Sequence, residues 1–405
     1  MRKHVPLRLV LLAGLPLAAA ACSLLKPVPV PSSRPKVVRT VSASPPLPLP
    51  SPAQRFVLKP GQDVIGRVQV VKVAQGQTLS DIARLFNVGY DEIVRANPKV
   101  DPWVPKVGTP VIVPTQFVLP EAPRSGIVVN IAAFRLFYYP PHRPGEPQIV
   151  LTHPVGIGRM GWHTPVGATR VVWREKNPVW HVPRSIMAEH AREGAPLPPV
   201  VGPGPNNPLG DYALHLGWPG YLIHGTNEPV SVGRRVSHGC IHLYPEDIAQ
   251  IFRMARNRTL VRVVNQPYLF GWNDGRLYLQ SYAPLADDRR PWKAGTRLLG
   301  SMLRRTQRRL LARHHEKVDW RRVQALVRAP RVVPLPVSGQ GPAPVAVLVQ
   351  NRLPAASTWD GKTDLPMTDA EFDPRFAGEA APASAKPHGS GTSAAAAKPS
   401  DTHTR

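Results

Sequence analysis

Hydrophobic and polar positions change rhythm several times along the chain, and each change predicts an element. Val68, Val70, Val71 and Val73 form a short β-branched run ending at Gly76-Gln77-Thr78. Leu79, Ile82, Ala83 and Phe86 then recur at helical spacing, and Thr78 with Asp81 three residues on has the form of a capping box. A second short helix is predicted over residues 91–96, and residues 111–113 close the unit with a strand. The order is β-α-α-β within about fifty residues.

From residue 127 to 264 the texture becomes that of strands. Residues 127–131 and 135–139 are expected to pair as a hairpin, residues 148–157 to follow as a strand, and residues 169–173 to alternate as another. Turns rich in Gly and Pro separate these runs, which is the pattern of a mainly β domain, sandwich or barrel-like. One helix is predicted within it, starting near Pro245, with Glu246 and Asp247 in its first turn and Ile248, Ile251 and Phe252 on one face. Beyond Asn265, strands are expected over 268–270 and, after the Asn273-Asp274-Gly275 turn, over 276–282. Residues 296–315 read as one basic amphipathic helix, with Leu298, Leu299, Met302, Leu303, Leu310 and Leu311 on its apolar side, docked on the domain with its Arg face in solvent.

Composition bears on the segments that lack such rhythm. Fifty prolines among 405 residues gather at 26–60, 196–208 and 330–344, so extended linkers are expected there. Residues 22–66 read as a Pro-rich tether and residues 331–405 as a disordered Pro/Ala-rich tail. The formal net charge of +25 and sequence pI of 10.9 predict attraction to polyanions. The N-terminus sets the compartment: Arg2, Lys3 and Arg8 precede the apolar run 9–17 and the small residues 18–21, the three regions of a secretory signal in order. Export argues against nucleic acid as the partner and for an anionic envelope surface. No other stretch reaches the roughly 20 apolar residues that a membrane span requires.

The chain has two cysteines, Cys22 at the end of the signal and Cys240 deep in the chain, so a disulfide framework is excluded. A lone internal thiol in an exported protein reads either as a small buried hydrophobe or as a nucleophile. Its surroundings favour the second. A thiol with pKa near 8.5 reacts poorly until a base or dipole raises its thiolate fraction. His224 ends an apolar strand and is positioned to be held rigidly near the Cys240 loop, while Gly239 lets the backbone adopt what other residues cannot. The amides around Gly239 and Cys240 are suited to face a developing oxyanion, so the expected chemistry is acyl transfer.

Two resemblances follow from these residues. The run VVKVAQGQTLSDIARLFNVGYDEIVRANPKV, closing in GTPVIVP, resembles a LysM module, which implies binding to N-acetylglucosamine-containing glycan strands. The H-G-T-N segment at His224 followed by S-H-G-C at 237–240 resembles the signature of the L,D-transpeptidases with a YkuD-type catalytic domain, and Thr164-Pro165-Val-Gly167 resembles that family's Thr-Pro-x-Gly segment. The resemblance implies that Cys240 is the nucleophile and His224 the general base, with Ser237, His238 and Gly239 shaping the site. Thr164, Pro165, Gly225, Thr226 and Arg235 are expected at the substrate, and His242, where many members have Arg, takes the substrate-orienting position. The implied reaction cleaves a peptidoglycan tetrapeptide stem between diaminopimelate and D-Ala through a Cys240 thioester, without metal, nucleotide or other cofactor. The acceptor is a second diaminopimelate, the lysine of an outer-membrane lipoprotein, or water.

The expected organisation is a signal at 1–21, the tether, a LysM domain at 67–115, a mainly β catalytic domain at 126–264, a subdomain at 265–330 bearing the basic helix, and the tail. The segment Leu17-Ala-Ala-Ala-Ala-Cys22-Ser23 resembles a lipoprotein processing site, which implies a periplasmic protein held to the outer membrane through lipid on Cys22 alone. A zinc site at His224, His238, Cys240 and His242 is the weaker reading, because alternating ligands along one strand lack the paired spacing such sites use. A wall-binding protein in which LysM alone acts is a further alternative.

Overall fold

The computed structural model describes residues 54–292, 296–339 and 347–348. The signal segment, Cys22, the tether before residue 54 and the tail from residue 349 lie outside the described residues.

Order begins earlier than the proline content suggests. β1 (Gln54–Val57) and β2 (Val64–Gly66) occupy the end of the expected tether. Phe56 packs against Val128, Phe137 and Val150, and this apolar anchor is what the proline-rich texture concealed. The βααβ unit follows as read: β3 (Gln69–Lys72), α1 (Leu79–Leu85), α2 (Tyr90–Ala96) and β4 (Pro110–Val113). Thr78 caps α1 by accepting from the Asp81 N–H at 3.1 Å, and Asp81 accepts from the Thr78 N–H at 2.9 Å. Val71, Leu79, Ile82, Ile93 and Val111 form its apolar core. β5 (Gln116–Val118) then pairs back on β2.

The larger unit is a curled nine-stranded sheet. Its strands include β6 (Gly126–Asn130), β7 (Arg135–Tyr139), β8 (Ile149–Pro154) and, after the short β9 (Ile157–Gly158), β10 (Gly167–Lys176). A ribbon of β11 (Trp180–His181) and β12 (Val200–Val201) encloses α3 (Arg184–Arg192). That helix was not expected; only Ile186 of it is buried, so it lacks the apolar periodicity that betrays a docked helix. β13 (Tyr212–Leu216), β14 (Leu222–His224), β15 (Arg235–Ser237) and β16 (Ile241–His242) carry the site, followed by α4 (Pro245–Met254) and β17 (Leu260–Val264). The order is β1-β8-β7-β6-β17-β10-β13-β14-β16, with β6 to β17 and β14 to β16 parallel. Ile127, Leu136, Val171, Leu214, Ile223 and Ile241 project from it into one core, against which Ile248 and Ile251 of α4 pack.

The C-terminal part differs from its sequence reading. β18 (Tyr268–Asn273) and β19 (Arg276–Ser281) form the expected hairpin, but the single basic helix is two, α5 (Thr296–Ser301) and α6 (Arg305–Arg313). The break is built in: the Arg304 N–H donates to Gln307 Oε1 at 2.9 Å, a fresh helix start, and Gln307 is tied to the Phe270 carbonyl. α7 (Trp320–Arg328) follows, started by Asp319, which accepts from the Arg322 N–H. The expected tail contributes β20 (Leu335–Pro336) against β19 and β21 (Val347–Leu348) against β3. Leu299, Leu303, Leu311, Val323 and Leu326 pack with Trp272 and Leu279 as a separate small core.

The βααβ unit is seated firmly on the large sheet. Arg135 and Glu92 are both buried and paired, Nε donating to Oε1 at 2.9 Å, with the guanidinium 4.0 Å from the Phe117 ring centre. Asp247 accepts from Asn87 at 2.9 Å, and Arg84 makes a two-pronged bond to Glu246. Gly89 and Gly233 let two backbones touch: a Cβ on Gly89 would lie 2.8 Å from Gly233 Cα. The Tyr90 N–H thereby reaches the Val232 carbonyl at 3.1 Å, just upstream of β15.

Candidate active site

Strand alternation decides which side chains meet. On β14, Ile223 points into the core, so Leu222 and His224 face the other way. β16 runs parallel beside it with Ile223 opposite Ile241 and His224 opposite His242. Cys240, the residue before β16, therefore falls opposite Leu222 and lies diagonally from His224 on the same face, about 7 Å between Cβ atoms by sheet geometry.

The turn that delivers Cys240 is fixed at every peptide. Gly239 has φ +106, and a Cβ there would come within 2.9 Å of the Tyr221 ring, so only glycine fits. Ser237 Oγ donates to the Cys240 carbonyl at 2.6 Å and accepts from the Gly239 N–H at 3.3 Å. Thr164 Oγ1 donates to the Gly239 carbonyl at 2.9 Å and accepts from the Gly158 N–H at 3.0 Å. Thr164 is itself buried, and both of its hydrogen bonds brace the turn.

The thiol and the imidazole are both neutral at rest. Burial pushes the Cys240 thiol up to about 11, against a smaller pull from the Leu222 backbone, and its Sγ donates to the Gly220 carbonyl at 3.7 Å. Burial, with His242 beside it, brings His224 down to about 3. His224 Nδ1 lies 2.7 Å from the Gly225 carbonyl, and because a carbonyl only accepts, Nδ1 carries the proton. The Leu209 carbonyl also lies beside the ring and, like that of Gly225, opposes the fall in pKa; with the proton on Nδ1, Nε2 is the basic nitrogen.

Other expected site residues have different placements. His242 is buried and brought down to about 4 by that burial; its Nε2 bonds Ser231 Oγ at 2.9 Å, and a Cβ on Gly156 would overlap its ring. In this structure its ring is packed in the interior, with Ser231 as its partner. Arg235 bonds Asp287 twice, at 3.1 and 2.7 Å, and donates to the Gly158 carbonyl. Arg234 is buried with its guanidinium 5.0 Å from the Tyr90 ring centre. Gly225 and Thr226 are buried too: a Cβ on Gly225 would press on Ile248, and Thr226 Oγ1 accepts from the Glu228 N–H at 2.9 Å. Pro165 stays half-buried just ahead of β10.

His238 joins a cluster of residues that the sequence did not single out. Its Nε2 lies 2.9 Å from Arg159 Nη2 and 3.0 Å from Glu189 Oε2 on α3, with Trp162 edge-on at 4.8 Å. Arg159 is also paired directly with Glu189. Burial and Arg159 lower the His238 pKa, while Glu189 opposes them. The Glu189 carboxyl sits below its usual range: burial raises it, and Arg159 and His238 outweigh that. Asp287, joined by His163 Nδ1 at 2.8 Å, behaves the same way, with Arg235 outweighing burial. Pro183 before α3 and Gly194, at φ +77 after it, were the available signals for that helix.

A curled, mainly β domain with a cysteine on a pinned turn, a histidine on the neighbouring strand and a βααβ module packed beside it defines the class of protein. Comparison with known proteins agrees: the L,D-transpeptidase catalytic domain family matches residues 124–263 and the LysM domain family residues 71–114. Probable L,D-transpeptidase YcfS of Escherichia coli K12 is 40% identical over 234 residues, covering 56% of this chain and 72% of that one. Probable L,D-transpeptidase YbiS of the same strain is 39% identical over 230 residues, 56% of this chain and 74% of the other. Probable L,D-transpeptidase ErfK/SrfK of Salmonella typhimurium is 37% identical over 233 residues, 56% and 74%. The chain belongs to the L,D-transpeptidase family.

Proposed function

We propose that this protein cleaves the bond between diaminopimelate and D-Ala of a peptidoglycan tetrapeptide stem through a thioester on Cys240, and passes the stem to an amine. The observation that carries the reading is the His224 Nδ1 bond to the Gly225 carbonyl, which leaves Nε2 as the base on the sheet face that also bears Cys240. The resting S–H is held by the Gly220 carbonyl, so reaction begins with rotation about χ1 of Cys240. His224 Nε2 then takes the thiol proton as sulfur attacks the carbonyl carbon. The Gly239 N–H is engaged by Ser237, so the Cys240 N–H is the donor we assign to the oxyanion. Collapse breaks the C–N bond, and the proton on Nε2 goes to the departing amino group of D-Ala. The acceptor amine attacks the thioester, giving up its proton by the same route, and sulfur leaves and is reprotonated.

Ser237, Thr164 and Gly239 act here as positioning residues for the turn, and the LysM unit supplies glycan affinity. The reaction places the protein outside the cytoplasm, in the periplasm; the basic N-terminus and Cys22 favour export and a lipid anchor in the outer membrane. Among the described residues no helix is long and apolar enough to cross a membrane. Diaminopimelate of a second stem and the lysine of a wall-anchored lipoprotein are the two amines that fit the family's chemistry. Incubation with purified tetrapeptide muropeptides tests the reading: we expect free D-Ala together with direct diaminopimelate-to-diaminopimelate dimers or, with lipoprotein added, its conjugate. Tripeptides alone would make water the acceptor and contradict transfer; no D-Ala at all would contradict the reaction.

A further inference from the structure

Regular alternation would put Trp173 on the same face as Val171, which is fully buried in the core. The register prevents this. Val171 pairs with Leu216 and Trp173 with His215, the very next residue, so Val172 is an extra residue in a β-bulge. The bulge turns the indole to the opposite face, where Trp173 is 48% exposed. There it stacks on His215, ring centres 3.9 Å apart and planes at 21°. His215 is in turn held by Glu175, Nε2 to Oε2 at 2.9 Å. His215 pairs with Leu222 on β14, and Leu222 lies opposite Cys240. Trp173, His215, Leu222 and Cys240 thus form one row across four neighbouring chain segments, none of them fully buried. Three strand spacings separate its ends, about 14 Å.

We propose that Trp173, braced by His215, is a stacking platform for the amino sugar that carries the donor stem. The inference rests on the reading of Cys240 as the nucleophile. In a tetrapeptide cut before its last residue, three residues lie on the acyl side, and fully extended they span about 11 Å, to which the thioester bond and the linkage to the sugar add a few ångströms. The next group outward is the sugar, and the indole stands at that distance along the same sheet face. A sugar ring presents a flat C–H face that matches an exposed aromatic plane already fixed in orientation, so little side-chain entropy is lost on contact. The bulge explains how a residue of core type is kept on the surface in line with the thiol.

The test compares two donors bearing the same tetrapeptide, one free and one attached to its disaccharide, by kcat/KM for D-Ala release. The wild type is expected to prefer the sugar-bearing donor. Trp173→Ala is expected to cut that preference about fivefold, and Trp173→Phe to keep most of it. The LysM unit is common to all three proteins, so a change in the ratio reports the platform alone. An unchanged ratio in Trp173→Ala, or a wild type indifferent to the sugar, overturns the platform and leaves the Cys240 reading standing. A wild type that releases D-Ala from neither donor overturns both.

Discussion

At the residue scale, the pairing of a thiol raised to about 11 with an imidazole lowered to about 3 has a kinetic signature. The reactive form is neutral on both sides, and it is lost on the acid side only when His224 takes a proton it can no longer accept from sulfur. The rate of Cys240 acylation is therefore expected to be flat between about pH 5 and about pH 9, measured by stopped-flow with a β-lactam or a thioester-forming peptide. A rate that rises with pH through the ordinary histidine value of 6.5 would show an exposed, titrating base and contradict the buried one. The nearness of Cys240 to His224 was legible in the sequence because the cysteine, the histidine and Gly239 lie in one short stretch, which the parallel pairing of β14 with β16 brings together. Glu189 and Asp287 were not: they meet His238 and Arg235 across 49 and 52 residues, a proximity that only the folded sheet creates. The burial of His242 was not legible, because it depends on Gly156, 86 residues upstream, whose missing side chain leaves room for the ring.

At the element scale, the segment from Ser237 to Cys240 behaves as a small rigid part whose shape is set from outside by Thr164. Thr164→Val keeps the volume but removes the donor to the Gly239 carbonyl and the acceptor for the Gly158 N–H. It is expected to cost about 1 to 3 kcal/mol in urea denaturation and to slow acylation about tenfold, with the slowing confined to the chemical step. Unaltered acylation would mean that the turn holds itself. Elements with their own local signature were readable: the capping box of α1, the hairpin of β6 and β7, and the proline-led start of α4. Those settled by distant contacts were not. Gln307 and its tie to Phe270 divide the expected long helix into α5 and α6, and a single inserted residue, Val172, reverses the face of Trp173.

At the scale of the whole molecule, the LysM unit is joined to the catalytic sheet by buried charge rather than by a loose linker. Arg135 is 0% exposed and has Glu92 as its carboxylate partner, and Glu92 also accepts from the Gly89 N–H at 2.8 Å. Removing one member of such a pair leaves the other charged and dry, which costs roughly 3 to 5 kcal/mol. Glu92→Ala is therefore expected to lower the urea midpoint of both units together in one transition; two separate transitions in the wild type would contradict a shared interface. Through Tyr90 and Val232 the same interface reaches the segment that enters β15 and the cysteine turn. Whether Cys240 is the acylated nucleophile is tested most directly by intact-protein and peptide mass spectrometry after exposure to a carbapenem. One adduct per chain is expected, mapped to Cys240 and absent in Cys240→Ala; no adduct on the wild type, or an equal adduct on the variant, would contradict acylation at Cys240.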